Sequence, residues 1–271
     1  AVVGLLFAAF VLLAYLSVFK RQMKRERRAK VDSYSYIFKI LFITIIPVLM
    51  STTIYNCNAI LDQAIFKNIA NLQGYSANDI SEWNGIYTGK YKTLINVPIS
   101  IASALAASSV PALTAAYTNG KKEAVRSQIN TAIRFIMVVA FPCAVGMGVL
   151  ASPILQLLFR DSSELAASML QLGAVSIVFF SLSTLSNGLL QGINRMREPV
   201  KNALIALVLH IGLLVVLMYA FQLNIYAVVY ANAFFGLLMC VLNAYSVKKY
   251  SGYRQEIRRT FVIPGISALI M

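Results

Sequence analysis

Residues 195–220 read RMREPVKNALIALVLHIGLLVVLMYA. A basic stretch carrying Arg195, Arg197 and Lys201 gives way to an apolar run over 202–220 with His210 near its middle. About 20 mostly apolar residues suffice to cross the hydrocarbon core of a bilayer as a helix. The same alternation of apolar run and short connector recurs along the chain. It predicts helices near 1–19, 40–66, 84–116, 128–150, 164–190, 202–220 and 225–247, with an eighth starting near 261. The runs are long and nearly unbroken, whereas barrel strands alternate over about ten residues. The fold class read from this pattern is all-α, a polytopic transmembrane helical bundle.

Composition agrees. Of the 271 residues 59% are hydrophobic and 13% charged, about half the charged share of a soluble domain. One soluble core of this size cannot hide so much apolar surface. The net charge of +14 alone would suggest a nucleic-acid partner, but its placement argues against one. Connectors 20–39, 117–127, 191–201 and 248–260 hold 19 of the 24 Lys and Arg residues, and they are every second connector. The alternate connectors 67–83, 151–163 and 221–224 hold Lys67 and Arg160. Cationic loops stay on the cytoplasmic side, so the basic loops are expected inside and Ala1 outside. The first residue is Ala1, and Met271 falls within an apolar run, so the chain is expected to be a piece of a longer protein. The apolar opening lacks the basic leader of a signal peptide.

Connectors 20–39 and 248–260 bracket six complete predicted helices over 40–247. That span reads as one six-helix bundle with a flanking helix at each end. Cys57, Cys143 and Cys240 are dispersed in apolar runs and show no metal-ligand spacing. No carboxylates pair at close spacing, and no glycine-rich phosphate loop follows a strand. No enzyme, cofactor or metal is therefore expected.

Polar residues inside spans are costly and point to function. Tyr55, Asn58 and Asp62 share one face of the helix over 40–66, beside Asn56 and Gln63. On the next helix Lys92, Asn96, Ser100 and Ser103 form another polar face, with Lys90 near it. Antiparallel neighbours bring Asp62 and Lys90 or Lys92 to similar depth, where they would pair or line a hydrated cavity. Snorkelling of these side chains to the outer interface is the plainer alternative. Arg134 is a possible gate or phosphate contact, against simple snorkelling. His210 is either a proton carrier or a buried ring bonded to a neighbouring carbonyl. Pro47, Pro98, Pro111 and Pro142 fall inside predicted helices and suit kinked segments.

Four stretches carry a family resemblance: Ile86-Tyr87-Thr88-Gly89-Lys90-Tyr91 with Leu94-Ile95-Asn96-Val97-Pro98; Ser108-Ser109-Val110-Pro111-Ala112-Leu113 before Asn119-Gly120; Ser152-Pro153-Ile154-Leu155-Gln156-Leu157-Leu158-Phe159; and Leu190-Gln191-Gly192-Ile193-Asn194-Arg195 with Pro199. In this order the chain resembles the polysaccharide-exporter branch of the MOP superfamily, and within it the stage V sporulation protein B and MurJ-like lipid II flippases.

The resemblance implies two six-helix lobes around a cavity and alternating access. Residues 40–247 would be the C-terminal lobe, 1–19 the last helix of a missing N-terminal lobe, and 20–39 the basic cytoplasmic linker. Residues 248–260 would be a second cytoplasmic connector, and 261–271 the start of an additional helix. The implied substrate is an undecaprenyl-diphosphate-linked oligosaccharide or lipid II-like precursor, carried outward across the bacterial plasma membrane. The family pattern places a basic residue on the cavity-facing helix, where Lys90 and Lys92 stand here. The expected cavity is then Tyr55, Asn58, Asp62, Lys90, Lys92, Asn96 and Ser100, and the expected partners are the lipid-linked sugar, membrane lipids and the other lobe. A multidrug or metabolite cation antiporter of the same superfamily is the alternative. A membrane glycosyltransferase would need larger polar loops or paired acids. Neutralising Lys90 and Lys92 together in the full-length protein is expected to abolish transport and leave membrane insertion intact; undiminished complementation by the double variant refutes this.

Overall fold

A computed structural model describes residues 10–11, 13–15 and 33–271; the side chains of residues 44, 47, 48, 51, 52 and 55 lie outside that description. Most of the expected helix 1–19 and linker 20–39 therefore falls outside the described residues, although 10–11 and 13–15 are helical. The chain divides into two compact units, Ala1–Ile43 and Thr44–Met271. The second unit holds the packing described below.

The described elements are helical. α1 spans Tyr34–Leu72 and α2 spans Ala77–Thr118, with a π-helical stretch at Ile86–Tyr91. α3 is Lys122–Val149, α4 Ala151–Phe159, α5 Glu164–Gly173 and α6 Ser176–Gly192. α7 is Arg197–Tyr219 and α8 is Asn224–Ser251. A π-turn at Arg258–Val262 leads into α9, Ile263–Ile270. Among the described residues α2, α3, α7 and α8 are each long and apolar enough to cross a membrane. α5 and α6, bent by 46° at their junction, are long and apolar enough only together, as a broken span or a re-entrant pair.

The expected spans between 40 and 247 each have a helix or a bent helix pair, with altered bounds, and the expected start near 261 falls at the π-helical stretch that leads into α9. α1 starts at Tyr34 and runs on to Leu72, about 58 Å at 1.5 Å per residue. It takes in residues 34–39, which were expected in the linker. α8 likewise continues to Ser251, into the expected connector. The connector 151–163 contains α4, an apolar helix too short to span. Pro98, Pro111 and Pro142 sit inside continuous helices.

Local chemistry sets the ends. Ser76 caps α2 by accepting from the Asp79 amide at 3.2 Å, and Asp79 sits in the positive first turn. Ser163 caps α5 by accepting from the Ala166 amide at 3.1 Å. α8 stops at Gly252, whose φ of +65° favours glycine. There the Arg126 guanidinium packs so closely that a Cβ would meet Nη2 at 2.7 Å.

In lipid there is little hydrophobic drive between helices, so close packing of small residues and buried hydrogen bonds hold them together. The seam between α2 and α6 uses both. A Cβ on Gly188 would lie 2.7 Å from the Ala106 Cβ, and Thr114 Oγ1 donates to the Gly192 carbonyl at 3.0 Å. A second polar seam joins α6, α7 and α8. Asn243 donates to Asn187 Oδ1 at 2.8 Å, and Asn202 donates to Asn243 Oδ1 at 2.9 Å and to Ser246 at 3.1 Å. Val97, Phe135, Val138, Val208 and Val241 face outward, as lipid-facing surface requires.

Gly188→Ala is expected to lower the thermal unfolding midpoint in detergent, because overpacking of about 1–3 kcal/mol outweighs alanine's helix preference of at most about 1 kcal/mol. Gly212→Ala, with nothing within 4 Å of its Cβ, should raise it. A gain in both variants would show the α2–α6 seam to be slack.

Candidate functional site: a buried polar cluster in the helix bundle

Three helices converge on one carboxylate. α1 presents Asp62, α7 His210 and α8 Asn232, and Asp62 and His210 are both wholly buried. His210 Nε2 lies 2.5 Å from Asp62 Oδ1. Asn232 Nδ2 donates to Asp62 Oδ2 at 3.1 Å, and His210 Nδ1 lies 2.8 Å from the Ala231 carbonyl oxygen. The ring of Phe235 stands edge-on to the imidazole with centroids 5.6 Å apart. Each of the three polar residues sits eight to ten positions from its helix end at Leu72, Tyr219 or Asn224, so they share a depth about 12–15 Å in from one end of the bundle. Gln73 Nε2 donates to the Met218 carbonyl at 2.7 Å and pins those ends of α1 and α7 together.

α2 closes the cluster on another side. Lys92 and Tyr87 both interact electrostatically with Asp62, and the Lys92 ammonium lies 4.9 Å from the Tyr87 ring centroid. The Tyr87 hydroxyl and Asn58 Oδ1 are buried without a hydrogen-bond partner. Tyr91 stacks on Tyr87 at 5.3 Å and its hydroxyl lies 3.2 Å from Ser176 Oγ.

The two predicted polar stripes therefore separate. Asn58 and Asp62 are buried inside the bundle, Lys92 is half-buried at its edge, and Asn96, Ser100 and Ser103 are exposed along α2. Tyr55 lies on α1, and its side chain is outside the described residues. Lys90 does not pair with Asp62. It donates to Asp161 Oδ2 at 2.5 Å, in the connector between α4 and α5. Asp161 Oδ1 also accepts from the Ser163 amide at 2.9 Å. The Lys90 hydrogen bond holds the Asp161 carboxyl below its ordinary range. This tether is therefore present above the ordinary carboxylate range and is lost as pH falls through the lowered value.

At the opposite end Arg134 pairs with Glu256, and Asn130 donates to the same carboxylate at 3.3 Å. Tyr253 donates to Asn130 Oδ1 at 3.0 Å. Burial, with help from the Glu256 carboxylate, pushes the Tyr253 phenol up. A cavity of about 850 Å³ opens there, edged by Arg126, Asn130, Lys248, Tyr253, Arg254 and Glu256. Sequence reasoning placed Asp62 and His210 on their helices but missed their pairing with each other and with Asn232. Equal depth on three helices was the available signal.

The comparisons with known proteins agree with this architecture. A family model described as lipid II flippase MurJ matches residues 1–271. The lipid II flippase MurJ of Bacillus subtilis (strain 168) is 27% identical over 190 residues, 68% of this chain and 35% of that protein. The chain thus spans about a third of that relative's length. A solved lipid II flippase MurJ in an inward closed conformation superposes with a TM-score of 0.64 at 15% identity, covering 95% of this chain and 51% of the other. A eukaryotic MATE transporter superposes with a TM-score of 0.66 at 16% identity, covering 96% and 55%. These structural likenesses speak to the fold.

Asp62→Leu alone is expected to cost about 3–5 kcal/mol, since it leaves His210 buried without its partner. Adding His210→Phe should recover most of that loss. The check is a double-mutant cycle on unfolding of the purified full-length protein, and a single-variant loss under about 1 kcal/mol would contradict it.

Proposed function

The chain belongs to the lipid II flippase MurJ family, and on that premise we propose that the full-length protein carries a lipid II-like, undecaprenyl-diphosphate-linked precursor to the outer leaflet of the bacterial plasma membrane by alternating access. The family match over the whole chain carries this reading. In it, residues 40–247 form one six-helix lobe, and the remainder of the transporter contributes the other. The coverage of 35% to 55% of the matched proteins' lengths supports a second part of similar size. Connectors 117–127, 191–201 and 248–260 face the cytoplasm in this arrangement, following their cations.

The chemistry of the headgroup suits the exposed face of α2. A diphosphate seeks ammonium groups in a hydrated cavity, and a sugar seeks amides and hydroxyls. Lys92, Asn96 and Ser100 offer these in line, with Lys90 at the rim. Asn58 and Asp62 stand behind that face, inside the lobe. The lipid tail stays in the bilayer, so only the headgroup needs a polar path. Arg134 meets a phosphate only when Glu256 releases it, which assigns it a gating part. Its salt bridge is half-exposed and therefore easily exchanged.

A cation antiporter of the wider superfamily is the second reading, and the intramembrane Asp62 favours it. Vesicles containing the full-length protein separate the two. The flippase exposes a lipid-linked sugar from the inner leaflet to an outside probe. Efflux of organic cations without lipid translocation overturns this reading.

A further inference from the structure

Two cavities meet at the end of the lobe where α8 stops. The larger, of about 850 Å³, is the basic one described above; α3 brings Arg126 and Ser127 to it, α8 brings Lys248, and the connector that follows brings Arg254. The smaller, of about 310 Å³, is apolar. Leu182 of α6, Val241, Ala244 and Tyr245 of α8, and Phe261 of the π-helical turn wall it. Lys248 and Tyr253 line both cavities, so the two form one continuous surface, cationic in one part and hydrocarbon-like in the other. Lys248 fits that position, because its stem packs on apolar neighbours while its ammonium group stays in the polar part.

The charge of the basic cavity is not answered by the protein. Among the described residues no carboxylate pairs with Arg126, Lys248 or Arg254. Glu256 is the one carboxylate in the lining, and Arg134 and Asn130 already hold it. The neighbouring cations Arg195 and Lys249 are engaged on the Tyr250 ring, 4.4 and 5.3 Å from its centroid. Three cations around one hollow repel one another, and an anion between them removes that cost. Guanidinium groups also grip a phosphate through paired N–H donors. Gln255 lines the apolar cavity next in chain to Arg254, and its Nε2 is buried with no acceptor. A buried donor left unpaired is costly, and an ester carbonyl is the acceptor it lacks.

We propose that this surface holds one anionic glycerophospholipid of the adjoining leaflet. Its phosphate sits among Arg126, Lys248 and Arg254, and one acyl chain lies along the apolar cavity. A free phosphate would leave Gln255 and the apolar wall unanswered. A zwitterionic lipid would bring its own ammonium group into a hollow that already has three cations. Seated there, the lipid joins α3, α8 and the connector beside the Arg134–Glu256 ion pair. The site does not depend on the flippase reading.

Photolabelling of the full-length protein in phosphatidylcholine vesicles tests the proposal. The probe is phosphatidylglycerol with a photoreactive diazirine on its acyl chain, and the control is phosphatidylcholine with the same chain at equal mole fraction. Peptides containing Val241–Tyr245 and Phe261 should carry a saturable excess of the phosphatidylglycerol adduct. Each of Arg126→Gln, Lys248→Gln and Arg254→Gln should raise its half-saturating mole fraction about fivefold. Lys121→Gln with Lys122→Gln, on exposed cations outside the cavity, should leave it unchanged. Unfolding midpoints in detergent show which variants fold, and Arg254→Gln, on an exposed connector, decides the test by itself. Equal labelling by the two lipids, or an excess that survives Arg254→Gln, overturns the site. Removal of the excess by inorganic phosphate reduces the site to an anion hollow and overturns the lipid. Displacement by a prenyl diphosphate, but not by unlabelled phosphatidylglycerol, assigns the surface to a substrate-like lipid and also overturns the proposal.

Discussion

A carboxyl group inside an apolar bundle has no water to turn to, so the surrounding helices must answer all of its hydrogen-bonding capacity and any charge. Asp62 imposes that condition on the lobe. Its two oxygens are taken by His210 of α7 and Asn232 of α8, which fixes the rotation of three helices about their axes and sets their relative height. The amide network of Asn187, Asn202 and Asn243 does the same for α6, α7 and α8. Where hydrophobic burial cannot choose among helix arrangements, these directional bonds can.

Much of the architecture was legible in the order of residues. Hydropathy found the spans, because lipid demands long apolar helices whatever their neighbours. It set the ends less well. α1 continues past its apolar run through Lys67 and Asn71, since a helix that has already formed its ladder gains by extending it, and polarity alone does not stop it. α4 went unread because a nine-residue, mostly apolar stretch is too short to span and too apolar for a plain loop. The bend between α5 and α6 falls at Gly173, a lone glycine in an apolar run that periodicity alone does not single out.

The polar cluster was half legible. Periodicity put Asn58 and Asp62 on one face of α1 and Lys92 and Asn96 on one face of α2, but a face does not name what it meets. Sequence adjacency suggested that α1 and α2 would satisfy each other's charges. Instead Lys90 reaches Asp161 in a connector, and Asp62 reaches His210, 148 residues away. His210 does have its expected carbonyl, at Ala231, but on one nitrogen only. The other nitrogen makes the contact that chain order hides.

The seam between α2 and α6 has a mechanical meaning. With Gly188 against the Cα and Cβ of Ala106, and Gly192 against Leu113, the two backbones lie too close to slide past each other without climbing over a side chain. Nor can they easily separate, because the Thr114 bond to Gly192 spans the gap. Paired helices of this kind behave as one stiff beam. A force applied to the polar face of α2 would then reach α6 directly and α8 through the bond from Asn243 to Asn187, with little slack between them to absorb it.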